Sequence, residues 1–196
     1  MKKILIAVPC YSYTQPLTME SIYSLVIPTD CITELKFIAG YTVAQARNRL
    51  VQYSIDNNFD YTFFVDSDII LPKDTLNKLF ELNVPIATAW YIKKMEGDGI
   101  TELYNPIKDS SQLGNIMEND LPKDSLIQIE ACGFGCTLVD NKVFNSMSKS
   151  HWFEYMDKPE FICSEDINFC IKVNNLKYNI ICDTSLRCNH IGQKIY

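Results

Sequence analysis

The spacing of apolar positions along the chain changes from strand-like to helix-like and back several times. Short, mostly apolar runs that predict strands stand at 4–8, 35–38, 61–65 and 85–89, and the first is continuous, as in a buried parallel strand. Between the second and third runs, apolar residues recur at helical spacing from Val43 to Tyr53 and predict a helix over 43–57. Thr42 and Gln45 form a capping-box signature at the start of this helix.

The alternation continues along most of the remaining chain. A helix is expected to begin at Pro72, and another follows the cap residue Ser164, with Ile167, Cys170 and Ile171 facing inward. Later strands are predicted at 125–130, 136–139 and 180–182. Strands that alternate with helices in this way predict an α/β domain with a mostly parallel sheet and right-handed crossovers. Such sheets bind ligands at the carboxyl ends of their strands.

One segment, 93–125, departs from the pattern because it is rich in glycine, proline and polar residues and has weak periodicity. We expect irregular loops there, with at most a β-ribbon among them. A segment of this length with little regular structure is often a binding loop or a lid. Since the sequence contains no apparent linker or repeat, we predict a single domain over 1–196.

Composition narrows the class of protein. Apolar residues make up 47% and charged residues 21% of the 196 positions, as in an ordinary globular domain. The net charge of −6, without a basic tract, argues against nucleic acid as a binding partner, although a nucleic-acid base stays open as a substrate. No apolar stretch approaches the roughly 18 residues of a membrane span, so we expect a cytoplasmic protein.

The eight cysteines are expected to be free thiols. Most of them have apolar neighbours, where a free cysteine behaves as a small buried hydrophobic residue. Cys132 with Cys136 and Cys182 with Cys188 could instead be two halves of a zinc site. Neither spacing is the close pair of the common zinc modules, which favours the structural interpretation.

The main candidate for chemistry is the triplet Asp66, Ser67 and Asp68, which directly follows the predicted strand at 61–65. Two carboxylates on one turn can approach one hard cation, and Mg²⁺ or Mn²⁺ prefers oxygen ligands and bridges to phosphate oxygens. A solvated loop, or an aspartate that caps the next helix, is the alternative. The position at the carboxyl end of a buried strand favours metal binding.

Two later features could complete a site with this triplet. Glu165 and Asp166 fall in the first turn of a predicted helix, where the helix dipole alone favours acidic residues. One of them could instead be a general base that takes a proton from an acceptor hydroxyl. His190 follows the last strand in a short polar stretch, and it is either a surface residue or a metal ligand that joins Asp68.

Two further segments have both a structural and a functional interpretation. Gly133, Phe134 and Gly135 could form a tight turn or could let a ligand approach the backbone closely. Arg47, on the helix over 43–57, could reach a diphosphate or could be solvated. The aromatic run at 151–155 could stack on a sugar ring, although such runs more often belong to the core.

Taken in order along the chain, these segments resemble the motifs of family-2-like glycosyltransferases of the GT-A fold, which is Rossmann-like. The matching segments are 8–11, 46–48, 64–68, 133–136, 164–166 and 189–190. Each motif is loose alone, but the ordered set is specific and extends over nearly the whole chain. The resemblance implies a single GT-A domain with a mostly parallel sheet and helices on both faces.

The resemblance also implies a role for each matching residue. Asp68 would bind Mn²⁺ or Mg²⁺ directly, His190 would be the C-terminal ligand, and Asp66 would lie by the metal and the ribose. Asp166 would be the base of an inverting transfer, and Glu165 would position the acceptor. Pro9 and Tyr11 would face the nucleotide base, Arg47 the diphosphate, and the glycine segment the donor sugar. The implied nucleotide-sugar-binding residues are Pro9, Tyr11, Arg47, Asp66, Ser67, Gly133, Phe134 and Gly135.

The implied function is metal-dependent transfer of a sugar from a nucleotide diphospho-sugar, with UDP expected before GDP, to an acceptor hydroxyl. The segment 93–125 would lie on the acceptor side, and a glycan, a lipid-linked sugar, a protein side chain and a modified base all stay open as acceptors. A sugar nucleotidylyltransferase is one alternative, but the loop after the first strand lacks the glycines and the basic residue of that class. A non-catalytic nucleotide-sugar-binding protein is another, and the intact Asp68, Asp166 and His190 argue against it.

Overall fold

The computed structural model describes residues 1–94, 99–108, 110, 112–147, 151–158 and 161–192. Its centre is a seven-stranded sheet, with strands numbered in chain order. From one edge to the other the strands are β2 (Cys31–Ala39), β1 (Lys2–Cys10), β3 (Tyr61–Val65), β10 (Cys136–Asp140), β5 (Ile86–Trp90), β13 (Ile180–Arg187) and β8 (Leu126–Ile129).

The central sheet is mainly parallel. β1 pairs in parallel with β2 and β3, and β5 pairs in parallel with β13. β10 lies antiparallel between β3 and β5, and β8 is an antiparallel edge strand beside β13. The predicted α/β class is therefore confirmed. The pattern at 136–139 predicted a strand without its direction, because a short apolar run suits either orientation in a buried sheet.

Helices cover both faces of the sheet, as expected. α1 (Pro16–Tyr23) and α3 (Thr75–Glu81) pack on one face, and α2 (Val43–Asp56), α4 (Asn141–Asn145) and α5 (Glu165–Asn175) pack on the other. Successive side chains on a strand point to opposite faces. On β1, Ile4, Ile6 and Val8 accordingly join the core under α1 and α3, while Leu5 and Ala7 join the other core.

The beginnings of the helices follow from local chemistry. Thr42 and Gln45 exchange the two hydrogen bonds of a capping box at the start of α2, with donor–acceptor distances of 3.3 and 3.4 Å. The helix expected to begin at Pro72 begins at Thr75 instead. α1 was not predicted; it begins at Pro16, whose fixed φ suits the first helical position.

The irregular segment contains the expected β-ribbon. β6 (Ile100–Pro106) pairs with β7 (Leu113–Met117) and with β9 (Ala131–Cys132), and a short 3₁₀ helix follows at Glu118–Asp120. Residues 95–98, 109 and 111 of this segment lie outside the described residues. Two short ribbons complete the fold: β4 (Ile69–Ile70) with β14 (Asn189–His190), and β11 (Met156–Lys158) with β12 (Phe161–Cys163).

All eight cysteines are free in the structure. Burial raises the pKa of the Cys136, Cys170 and Cys182 thiols, which keeps them protonated at neutral pH. The binding of zinc by any of them stays untested. Within the described ranges, no helix has the length and apolar character needed to cross a bilayer.

Candidate functional site

A cavity of about 490 Å³ opens at the carboxyl ends of β1, β2 and β3, where a parallel sheet is expected to bind ligands. Its volume is in the range of pockets that hold small molecules and cofactors. Most of the predicted donor-side and metal residues lie around it. Its described lining residues are Pro9, Cys10, Tyr11, Tyr41, Thr42, Val43, Ala46, Asp66, Ser67, Asp68, Lys94, Glu102 and His190.

Pairing between two short strands that are far apart in the sequence brings Asp68 and His190 together. β14 lies antiparallel to β4, so His190 is opposite Ile69, and the N–H of Ile191 donates to the carbonyl oxygen of Asp68 at 2.8 Å. As a result, Nε2 of His190 lies 3.6 Å from Oδ1 of Asp68. The expected meeting of the strand-end carboxylate and the late histidine is therefore seen at the level of the side chains.

The hydrogen bonding of His190 fixes the direction of its ring. Nδ1 lies 3.0 Å from the carbonyl oxygen of Ile92. Because a carbonyl oxygen only accepts, Nδ1 carries a proton, and Nε2 is the ring nitrogen that faces Asp68. Tyr91 supports the ring edge-on, with the centroids 5.2 Å apart. Histidines that bind metals are typically oriented by such a bond from their second nitrogen.

Asp68 has a second cationic partner in Lys94, whose ammonium pairs with Oδ2. Burial alone would raise the pKa of Asp68, but the nearby His190 and the hydrogen bond from Lys94 outweigh it and lower the pKa. The carboxylate is therefore ionised at neutral pH. Among the described residues, no group of three or more His, Cys, Asp or Glu side chains is arranged to hold a metal ion. Mg²⁺ and Mn²⁺ sites often use one or two protein ligands and complete their shell with phosphates and water.

The other carboxylate of the triplet has a different partner. Both oxygens of Asp66 accept hydrogen bonds from Nη2 of Arg47, at 2.9 and 3.1 Å. Nη1 of Arg47 pairs with Glu165 and lies 3.9 Å from Oδ2 of Asp166. We call Arg47, Asp66, Glu165 and Asp166 the Arg47 cluster. It joins the end of β3 to the start of α5, so it links the donor side of the cavity to the predicted base.

The Arg47 cluster is buried at its centre. The Arg47 side chain is 2% exposed, and its guanidinium lies over the rings of Phe134 and Phe153, 5.7 and 5.8 Å from their centroids. Burial would lower the pKa of Arg47, but the carboxylates, led by Asp66, outweigh it and raise the pKa. Burial also raises the pKa of Glu165, against the opposing effect of Arg47. Arg47 is thus enclosed rather than solvated, and its predicted contact with a diphosphate stays a prediction.

Asp166 keeps one carboxylate oxygen free. Oδ1 accepts hydrogen bonds from the Ser164 hydroxyl and, at 2.8 Å, from the N–H of Ile167. Ser164 is the N-cap of α5, as predicted, but its hydroxyl bonds to Asp166 rather than to the helix backbone. Among the described residues, the one contact of Oδ2 is with Nη1 of Arg47 at 3.9 Å, and the Asp166 side chain is 18% exposed. This oxygen is available to a substrate hydroxyl.

The glycine segment 133–135 packs against Tyr91. A Cβ added at Gly133 would lie 2.4 Å from the Tyr91 hydroxyl, and one added at Gly135 would lie 2.7 Å from it. The N–H of Gly135 also donates to that hydroxyl at 2.9 Å. Close approach to Tyr91 therefore explains both glycines, and Phe134 is buried in the core. None of the three is among the described residues that line the cavity, and their role at a donor sugar stays a prediction.

Two charged residues of the cavity wall were not predicted as site residues. Lys94 and Glu102 both come from the segment 93–125, where no periodicity points to them. Glu102 accepts a hydrogen bond from the Tyr104 hydroxyl at 2.7 Å, and burial raises its pKa. The only signal in the sequence is that these charges follow soon after the predicted strand at 85–89.

Comparison with known proteins gives a likeness of fold. No protein-family model and no curated protein sequence matches this chain. The crystal structure of A197 from STIV matches 98% of this chain and 86% of its own, with a TM-score of 0.65 and 15% sequence identity. A crystal structure of GalNAc-T7 with UDP, GalNAc and Mn²⁺ matches 98% of this chain, with a TM-score of 0.61 and 11% identity, and the match spans 44% of the GalNAc-T7 chain. These likenesses support a GT-A-like fold and do not single out family 2.

Proposed function

We propose that this protein is a metal-dependent glycosyltransferase that moves a sugar from a nucleotide diphospho-sugar, with UDP as the expected nucleotide, to an acceptor hydroxyl with inversion. The observation that carries the proposal is the convergence of Asp68 and His190 at a cavity on the carboxyl ends of parallel strands. The likeness to a GalNAc-T7 structure that holds UDP, GalNAc and Mn²⁺ supports the class of donor and of metal.

The donor would lie along the wall formed by the ends of β1 and β3. Pro9 and Tyr11 would contact the base, and the Tyr11 side chain is well placed to do so because the residue is 82% exposed beside the cavity. Asp66 and Ser67 would lie beside the ribose. Aromatic side chains with a free face are suited to stacking on a base.

The metal would be held by Asp68 and His190. Their donor set, one ionised carboxylate and one imidazole nitrogen, suits Mn²⁺ and Mg²⁺ when phosphate oxygens supply further ligands. A divalent cation at this place neutralises charge on the diphosphate leaving group. Asp66 is occupied by Arg47, so its contribution would be indirect, through the position of the turn.

Asp166 would act at the acceptor. Its free Oδ2 takes the proton of the acceptor hydroxyl while the acceptor oxygen forms a bond to the anomeric carbon. The bond from that carbon to the diphosphate oxygen breaks, and its electron pair leaves with the diphosphate. Glu165 is almost fully buried against Arg47, so we propose that it supports acceptor binding by holding Arg47 and Asp166 in place.

Calorimetric titration with UDP and with GDP, each with and without Mn²⁺, tests the donor and the metal together. We expect tight UDP binding only with Mn²⁺, and loss of the metal-dependent part in Asp68→Ala. A donor-hydrolysis assay then separates the alternatives. A transferase hydrolyses UDP-sugar slowly to UDP and free sugar, a nucleotidylyltransferase instead releases pyrophosphate when it is given UTP and a sugar 1-phosphate, and a binding protein does neither. UDP binding that is unchanged in Asp68→Ala with Mn²⁺ present would contradict the proposal.

A further inference from the structure

Lys94 lies where the proposed metal would need space. Its ammonium pairs with Oδ2 of Asp68, while His190 approaches Oδ1 of the same carboxylate. The Lys94 side chain is 40% exposed and lines the cavity. Asp68 is therefore shared between a histidine that suits a metal and a lysine that is itself a cation.

A divalent cation bound to Asp68 would stand close to the Lys94 ammonium. Like charges at such short distance repel, and both cations would share one carboxylate, the ammonium at Oδ2 and the metal at Oδ1 beside His190. His190 is held by its bond to the Ile92 carbonyl oxygen. Lys94 is the group that can move, because its flexible stem carries a point charge and its contact is open to solvent.

The diphosphate of a donor offers Lys94 another partner in the same cavity. Among the described residues that line the cavity, Lys94 is the only lysine or arginine. Arg47 is the nearby alternative, but it is buried and already bound to Asp66 and Glu165. An ammonium is a suitable point-charge ligand for phosphate oxygens. A short movement of one side chain would thus exchange a carboxylate for a phosphate.

We propose that Lys94 is an exchangeable cation, which pairs with Asp68 in the absence of ligand and transfers to the diphosphate when the nucleotide and the metal bind. The proposal rests on the proposed function and extends it. Because the nucleotide draws Lys94 away from Asp68, it increases the affinity of the site for the metal. By thermodynamic linkage the metal increases the affinity for the nucleotide by the same factor.

The test measures Mn²⁺ binding directly, by the electron paramagnetic resonance signal of free Mn²⁺, with and without UDP. The variants are Lys94→Gln and, as a control with the same change in charge, Lys142→Gln. Lys142 is 84% exposed on α4, at the opposite end of the sheet. In Lys94→Gln we expect Mn²⁺ alone to bind about tenfold more tightly than in the wild type, and UDP to increase that affinity about tenfold less. Lys142→Gln should match the wild type in both measurements.

Each other outcome overturns the proposal in a recognisable way. If the wild type binds Mn²⁺ with UDP and Lys94→Gln binds Mn²⁺ alone no more tightly, Lys94 does not compete with the metal, and the proposed function stands. If UDP binding needs no Mn²⁺ but is lost in Lys94→Gln, Lys94 is a permanent diphosphate ligand and no exchange occurs. If the wild type binds neither UDP nor Mn²⁺, the proposed function is wrong and the exchange is wrong with it.

Discussion

Asp66 and Asp68 lie two residues apart on one turn and are held in opposite ways. Asp66 receives two hydrogen bonds from Arg47, whose side chain is 2% exposed. Asp68 pairs with Lys94, whose side chain is 40% exposed. A planar guanidinium in a buried site holds a carboxylate rigidly, whereas a solvated ammonium on a flexible stem does not. The same turn therefore presents one carboxylate that belongs to the scaffold and one that is free to change partner.

The difference follows from what surrounds each cation. Arg47 is enclosed by Phe134 and Phe153 and has three carboxylates near it, on Asp66, Glu165 and Asp166. In a poorly solvated place, removal of the one cation leaves these charges without compensation. Around Lys94, water replaces whatever partner is lost, so the energetic consequence is small.

Replacement of Arg47 tests the rigid half of this comparison and should give the largest effect. In Arg47→Met the buried carboxylate of Glu165 and the partly exposed carboxylates of Asp66 and Asp166 lose their common partner. We expect the free energy of unfolding to fall by about 3–5 kcal/mol, as for other broken buried ion pairs. The loss should be greater at pH 8 than at pH 5, because the carboxylates of the variant can take up protons at the lower pH. Urea denaturation at the two pH values measures both effects.

Arg49→Met is the matched control. Arg49 is exposed on the same helix and lies over the ring of Tyr41, 4.1 Å from its centroid. Its loss should cost no more than about 1 kcal/mol, the usual scale of an exposed cation–π contact. Equal stabilities of Arg47→Met and Arg49→Met would show that the Arg47 cluster is not a rigid centre.

Asp166 lies on the edge of the rigid cluster but keeps a free oxygen, so its replacement should affect chemistry more than structure. In Asp166→Asn we expect transfer to fall by about 10² or more, the usual contribution of a general base, with donor affinity nearly unchanged. Asn retains an oxygen that can accept the bonds from Ser164 and Ile167. Turnover per folded molecule and calorimetric donor affinity are the two measurements.

The alternative for Asp166 is that it only stabilises the start of α5. In that case its loss would cost about 0.3–1 kcal/mol of stability and leave the turnover of folded enzyme intact. Glu165→Gln is the companion variant, and we expect a smaller loss that acts chiefly through acceptor binding. Full activity in Asp166→Asn would remove the proposed mechanism.

Replacement of Asp68 tests the other side of the comparison, the exposed pair of Lys94 and Asp68. In Asp68→Asn we expect Mn²⁺ to lose its effect on UDP affinity. The change should be at least about tenfold, because the loss of a residue that merely hydrogen-bonds to a metal ligand already lowers metal affinity by about that factor. Stability should hardly change, since Lys94, the cationic partner of this carboxylate, is 40% exposed. Calorimetry with and without Mn²⁺, beside urea denaturation, measures both. A large loss of stability together with unchanged metal dependence would mean that Asp68 belongs to the scaffold and does not bind the metal.

The sequence predicted the elements of this site better than their contacts. The strand predicted at 61–65 placed Asp66 and Asp68 at the carboxyl edge of a sheet, because a short apolar run that ends at polar residues is typical of a buried strand. His190 reaches Asp68 through a ribbon with two residues in each strand, which is too short for any pattern to predict. The burial of Arg47 depends on carboxylates 19 and 118 positions away in sequence. An isolated charged residue gives no signal of such partners, and the same holds for Lys94.

Ionic strength should distinguish the exposed pair of Lys94 and Asp68 from the Arg47 cluster. This is the smallest and most specific of the predicted effects. Between about 0.01 M and about 1 M salt the Debye length falls from roughly 30 Å to roughly 3 Å, and exposed pairs are screened while buried pairs are screened much less. The contact of Lys94 with Asp68 is solvated, so Lys94→Gln should cost under about 1 kcal/mol of stability at low salt and nothing measurable at high salt. The loss in Arg47→Met should persist at both salt concentrations, because Arg47 is enclosed.

Urea denaturation of the two variants and the wild type at each salt concentration gives both differences. A loss in Lys94→Gln that persists at high salt would mean that Lys94 is held as firmly as Arg47, and a side chain held so firmly could not exchange between Asp68 and a diphosphate.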